Sequence, residues 1–223
     1  MTGQGLLLDL EVVEYLQALD MQHLMVERRS RNEIPDVLIL LEHPHVYTVG
    51  KRVTDPISAE VGGVPVYSVE RGGQWTYHGP GQLVGYPIIS LEGRGRDIRR
   101  YLRSLEQVLI DAMGKFGIVA ERHEGHTGVW VGDRKIASIG VAVRGWVTFH
   151  GFALNVNTDL DYFNRINPCG LPGEAITSMA ELIGHEVSMA EVRKSVKRYF
   201  EQIFELTLEP VALEALALPR LAL

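Results

Sequence analysis

Apolar positions along the chain switch between the periods of strand and helix. A short apolar stretch at residues 6–10 is followed by Val12, Val13, Leu16, Leu19 and Leu24 at roughly helical spacing, up to the basic Arg28-Arg29-Ser30-Arg31. This predicts a strand and then a helix. Val37 to Leu41 is a continuous apolar run of strand length, closed by Glu42-His43-Pro44 because the residue before proline is pushed out of the helical region. Val46–Val49, Val64–Val69 and Leu83–Ile89 also read as strands, and a Gly-rich loop, residues 71–82, separates the last two. Asp97 is a good N-cap for a helix carrying Ile98, Leu102, Leu105, Leu109, Ala112, Met113 and Phe116 on one stripe, stopping at Gly117. Val129–Val131, Lys135–Val143 and Val147–Val156 read as an antiparallel meander, with turns at Gly132-Asp133 and Arg144-Gly145. Ser178 with Glu181, and Ser188 with Glu191, have capping-box spacing, and Val192, Val196, Tyr199, Phe200 and Ile203 continue the second of these helices. No repeat, linker or low-complexity segment interrupts the pattern. Irregular alternation with an antiparallel run inside favours α+β over a doubly wound sheet.

With 223 residues, 46% hydrophobic and 22% charged, the chain can bury a core without disulfides or metal. Its longest apolar runs fall far short of the roughly 18 residues of a membrane span, and its N-terminus lacks the basic start of a secretory signal. A cytoplasmic protein is expected. The net charge of −6 argues against general nucleic-acid binding, which calls for a basic stripe.

Two familiar chemistries are disfavoured. Gly79, Gly81 and Gly85 have the wrong spacing for a dinucleotide fingerprint and lead into a strand instead of a helix, and no P-loop occurs. The pairs His43/His45 and His123/His126 lack the helix context and carboxylates of a metal site, so solvated loop histidines are expected there. The loop 71–82 is different, because its glycines allow close backbone approach while Trp75, Tyr77 and His78 offer apolar faces with polar tips. Cys169, the single cysteine, sits in a segment too rich in Pro and Gly for helix or strand, and a loop cysteine has the approach path a nucleophile needs. A thiol of pKa about 8.5 needs activation at neutral pH. Lys135 is a candidate activator, although a lysine beside Arg134 reads more simply as an exposed hairpin end.

Three stretches together resemble the lipoyl(octanoyl) transferase family: Arg71 to Gln82 fits its R-G-G-x-x-T-x-H-x-P-G-Q pattern, Lys135-Ile136-Ala137-Ser138-Ile139-Gly140 its lysine-bearing strand, and His150 to Asn155 with Asn167-Pro168-Cys169-Gly170 the approach to its nucleophile. Glu42-His43-Pro44 fits a further family segment, and the similarity runs in order from about residue 37 to residue 183. The resemblance implies one α+β domain over residues 1–223, a mixed sheet flanked by helices as in biotin and lipoate protein ligases. It implies that Cys169 carries the acyl group as a thioester and that Lys135 lowers the thiol pKa and manages protons. Arg71, Gly72, Gly73, Gln74, Trp75, Thr76, Tyr77 and His78, with Ser138, Ile139, Gly140, Gly151, Phe152 and Ala153, would line the acyl pocket. The implied donor is octanoyl-acyl carrier protein, and the implied acceptors are lysines of the lipoyl domains of 2-oxoacid dehydrogenase complexes and of glycine cleavage H protein. Neither metal nor other cofactor is required. His78 or His150 could take the proton of the attacking amine, and backbone N–H groups near Gly140 or Cys169 could hold the oxyanion. An ATP-dependent lipoate ligase would have no need of the thiol and would need a phosphate and Mg²⁺ site that the sequence does not offer. An inert acyl-binding module would have no use for Cys169 and Lys135 together.

Overall fold

Runs of alternating or continuous apolar residues become strands, and the capped amphipathic runs become the helices that cover them. The structure is a computed structural model and describes residues 3–54, 57–166 and 175–216. The larger sheet has seven strands in the order β11-β1-β2-β7-β10-β9-β8: β1 Gly3–Val12, β2 Asp36–Glu42, β7 Gln82–Ile88, β8 Val129–Val131, β9 Arg134–Arg144, β10 Val147–Asn155 and β11 Leu206–Pro210. β1 pairs in parallel with β2 and β11, and the rest of the sheet is antiparallel. A four-stranded sheet runs β4-β5-β3-β6, from β3 Val46–Val49, β4 Glu60–Val61, β5 Val64–Ser68 and β6 Trp75–His78. Mixed sheets flanked by helices make this α+β, as the sequence predicts.

Side chains of β2 alternate between two cores. Leu38 and Leu40 join the cluster under α2 (Ile98–Gly114) and α4 (Met189–Phe204), while Val37, Ile39 and Leu41 join the cluster under α1 (Tyr15–Ser30). Such strands, buried on both faces, read as unbroken apolar runs. Asp97 caps α2 by accepting the Arg100 N–H at 2.9 Å, and Ser178 and Ser188 cap α3 (Met179–Ile183) and α4. No helix among the described residues is long and apolar enough to cross a membrane.

The structure departs from the sequence reading in four places. Val12 belongs to β1, and α1 buries Tyr15, Ala18, Met21, Gln22 and Met25 while Leu16 is 47% exposed. The stripe is thus set one position away from the leucines. Helix α2 ends at Gly114, three residues before the expected stop. The Gly-rich loop contains a strand, β6. The tail, with no reading from sequence, supplies β11, which pairs in parallel with the first strand.

Candidate active site

The two sheets, with β9 and β10 of the meander, and the starts of α1 and α2 border a cavity of about 360 Å³. Arg71, Gly72, Gly73, Gln74, Thr76, His78, Lys135, Ser138, Ile139, Gly140, Gly151, Phe152 and Ala153 all border it. Trp75 and Tyr77 do not. Successive side chains of a strand point to opposite faces, so when β6 turns Thr76 and His78 to the cavity it turns Trp75 and Tyr77 to the other side. There Tyr77 packs on Tyr162 and Phe163, and Trp75 packs on Tyr47. Cys169 lies outside the described residues.

Loop 71–74 is fastened at the cavity by its own arginine. Arg71 is 7% exposed; its Nη2 donates to Thr48 O at 2.8 Å and Thr48 Oγ1 at 2.9 Å, and its Nη1 to Gly72 O at 3.1 Å. The Gly72 N–H reaches Val141 O at 3.0 Å, which ties the loop to β9. A buried guanidinium therefore stands at the cavity wall, where it disfavours protonation of His78 and His150.

Hydrogen bonds fix the tautomer of His78. Gln82 Nε2 donates to Tyr77 O at 3.1 Å and to Asn155 Oδ1 at 2.9 Å, so its Oε1 is left to accept, at 2.8 Å, the proton on His78 Nδ1. The unprotonated ring nitrogen is then Nε2. Burial, with His43 nearby, holds the ring well below the usual imidazole range. The relay continues: Asn155 Nδ2 donates to Thr177 O at 3.0 Å, and the Thr177 N–H donates to Lys135 O at 3.0 Å. The H-x-P-G-Q spacing that stood out in the sequence thus links a cavity histidine to the strand that carries the lysine.

Lys135 is 5% exposed, against the expectation of an exposed hairpin end. Its backbone is sandwiched, paired on one side with β8 and on the other through a parallel bridge to Ile176. Its ammonium lies 5.4 Å from the centre of the Trp130 ring. His43 also corrects the expectation of a solvated loop histidine. It is fully buried, with Nδ1 donating to Val13 O at 2.6 Å and Nε2 accepting from Tyr86 Oη at 2.7 Å. Burial lowers its pKa to about 4. His45 stacks on Tyr162, and His123 and His126 both lie against Trp130.

Tyr15, Tyr86, Ile98, Leu102 and the segment Gly125–Thr127 also border the cavity and were missed in the sequence. They come from elements distant along the chain, and a buried tyrosine or a lone isoleucine at a helix start gives no local signal. His150, named from sequence only as a proton acceptor, lines the wall with φ 53°, its N–H held by Gln22 Oε1 at 2.7 Å. Burial, helped by the positive charge of Arg71, lowers its pKa to about 3.

Fold and cavity together define a lipoyl protein ligase A/B catalytic domain, whose family model matches residues 14–201. An octanoyltransferase of Gloeobacter violaceus is 49% identical over 220 residues, covering 96% of each chain. One of Geobacter metallireducens is 47% identical over 197 residues, covering 86% of this chain and 90% of its own. The chain belongs to the octanoyltransferases of this family, acyltransferases that act in octanoyl transfer for protein lipoylation. The crystal structure of lipoate-protein ligase A bound with ATP shares the fold at a TM-score of 0.72 and 17% identity, covering 97% of this chain and 92% of that one. Biotin protein ligase of Aquifex aeolicus shares it at 0.51 and 13%, covering 92% of this chain and 70% of that one.

Proposed function

We propose that residues 1–223 form one catalytic domain that moves an octanoyl group from acyl carrier protein to a lysine of a lipoyl domain, through a thioester on Cys169. The acceptors are lipoyl domains of 2-oxoacid dehydrogenase complexes and glycine cleavage H protein. The observation that carries the reading is the buried cavity lysine: Lys135 is held on both sides by backbone pairing, and Ile176, one of its partners, follows Cys169 by seven residues. A buried ammonium favours a neighbouring thiolate.

In the first step the Cys169 thiolate attacks the donor carbonyl. A new C–S bond forms, the bond to the carrier sulfur breaks, and the leaving thiolate takes a proton from the Lys135 ammonium. In the second, the acceptor amine attacks the acyl-enzyme, the C–N bond forms, neutral Lys135 takes the amine proton, and Cys169 leaves as thiolate. Exchange between thioesters is nearly balanced in energy, so one difficult transfer becomes two easier ones. The acyl chain lies against Phe152, Ala153, Ile139 and Tyr86, which give the cavity its apolar wall. The Cys169 thiol would have no purpose in an ATP-dependent ligase mechanism. A working free thiol also suits a reducing compartment, the cytoplasm.

Incubation with octanoyl carrier protein and no ATP should add one octanoyl mass to the intact protein, labile to hydroxylamine. Cys169→Ser should not form that labile adduct. Full hydroxylamine-sensitive labelling in Cys169→Ala would exclude the assignment.

A further inference from the structure

One acidic residue interrupts the buried stripe of α2. Glu106, four residues after Leu102 and three before Leu109, is 1% exposed. A carboxylate in that position is costly unless its oxygens are paired. They are paired in a divided way. Oε2 accepts from Arg103 Nη1 at 2.8 Å and Arg122 Nε at 3.0 Å, while Oε1 accepts the Gly128 N–H at 3.2 Å. Arg122 Nη2 also donates to Arg103 O at 3.1 Å and Gln107 Oε1 at 2.7 Å. The helix therefore holds both ends of segment 122–128, and Gly125, His126 and Thr127 within it border the cavity.

Gly128 stands directly against the lysine. Its φ is +131°, and a Cβ there would lie 2.6 Å from Lys135 Cε, 2.7 Å from Ala137 O and 3.3 Å from Lys135 Nζ. The bare backbone of Gly128 is thus a wall of the channel through which the lysine side chain runs. Trp130, beside the ammonium, carries His123 stacked at 4.5 Å and His126 edge-on at 5.8 Å, two titratable groups of the same segment.

We propose that Glu106 is a positioning residue for Lys135: by fixing the Gly128 backbone it fixes where the ammonium points, without touching substrate. Cationic partners saturate one carboxylate oxygen and leave the other to hold the wall. The inference rests on the reading of Lys135 as the partner of the Cys169 thiol.

The test compares the pH midpoint of iodoacetamide alkylation at Cys169, and kcat and KM for octanoyl carrier protein, in Glu106→Gln, Arg122→Gln, Gly128→Ala and Lys135→Ala. Arg122 is partly exposed, so its variant keeps the experiment usable should Glu106→Gln fail to fold. Lys135→Ala should raise the midpoint. The other three should raise it in the same direction and lower kcat about 10- to 100-fold, the scale of a misplacement of about 1 Å, with KM nearly unchanged. The double variant Glu106→Gln/Lys135→Ala should shift no further than Lys135→Ala alone. If Lys135→Ala shifts the midpoint and the other variants keep the wild-type value, the positioning role is wrong and the reading of Lys135 stands. If Lys135→Ala itself keeps the wild-type midpoint, the lysine reading fails and this inference with it.

Discussion

Three histidines at or beside the cavity are kept neutral by burial, and this has a consequence for stability. An unfolded histidine titrates near pH 6.5, whereas folding lowers His43 to about 4 and His150 to about 3 and depresses His78 as well. Between those values the unfolded chain binds protons that the native chain does not. Their contribution is therefore fully present above about pH 6.5 and is lost as pH falls towards the folded values. One proton of difference corresponds to about 1.4 kcal/mol per pH unit. His43→Gln removes a titrating ring while keeping a donor for Val13 O. Urea denaturation between pH 4 and 6.5 should show its stability falling less steeply than wild type, by about one proton. An unchanged slope would mean that His43 is not held neutral by the fold.

At the scale of elements, β7 and β10 meet where Gly85 lies opposite Phe152. A Cβ at Gly85 would come 2.1 Å from Phe152 Cζ, so only glycine leaves room for the ring that forms part of the cavity wall. Gly85→Ala must move the ring or spread the strands. Overpacking of this kind costs about 1–3 kcal/mol, and thermal unfolding should register the loss while KM for a small octanoyl thioester rises. An unperturbed KM would show that the ring does not meet the acyl chain. Strand content was legible in the sequence because runs such as Val37–Leu41 and the meander 129–156 carry their period locally. β6 was hidden, since glycines on both sides gave residues 71–82 the composition of a loop although Trp75–His78 pair with β3. Helix α1 was misphased because its buried side includes Gln22, a polar residue whose place is set by the distant His150 N–H. Of the glycine-rich motif and the lysine strand, the residues expected to line the cavity border it except Trp75 and Tyr77, which the alternation of β6 turns away. Tyr15, Ile98 and Glu106 were not legible in the sequence, because only the packing of remote elements brings them to the cavity or to Lys135.

Across the whole molecule, a net charge of −6 would oppose the approach of an acidic donor, as the proposed carrier protein would be, unless some basic surface flanks the cavity. Arg94, Arg96, Arg99, Arg100 and Arg103 fall within ten residues of the chain, and the structure separates their side chains. Arg94 binds Phe204 O and Asp36, Arg103 binds Glu106, and Arg96 precedes the helix at φ 53°, paired with Glu92. Arg99 and Arg100 remain exposed on the first turn of α2, beside Ile98, which is 39% exposed and borders the cavity. Arg99→Glu/Arg100→Glu should raise KM for carrier-bound octanoate several-fold and flatten its salt dependence, because steering is electrostatic. Turnover of a small octanoyl thioester should stay near wild type. Equal losses with both donors would trace the defect to the pocket or the fold.

Trp130, one of three tryptophans, gives the protein a built-in optical probe. Its indole is buried at 3% exposure, with the Lys135 ammonium 5.4 Å from its ring centre. A cation over an indole is attracted to its π-electrons, so emission from this ring depends on whether the lysine carries its proton. In a chain with Trp75→Phe and Trp146→Phe, fluorescence should change when Lys135 gives up its proton, and that change should vanish in Lys135→Met. In the proposed thioester route, stopped-flow emission would then follow the Lys135 proton through the two transfer steps in real time, on unlabelled protein.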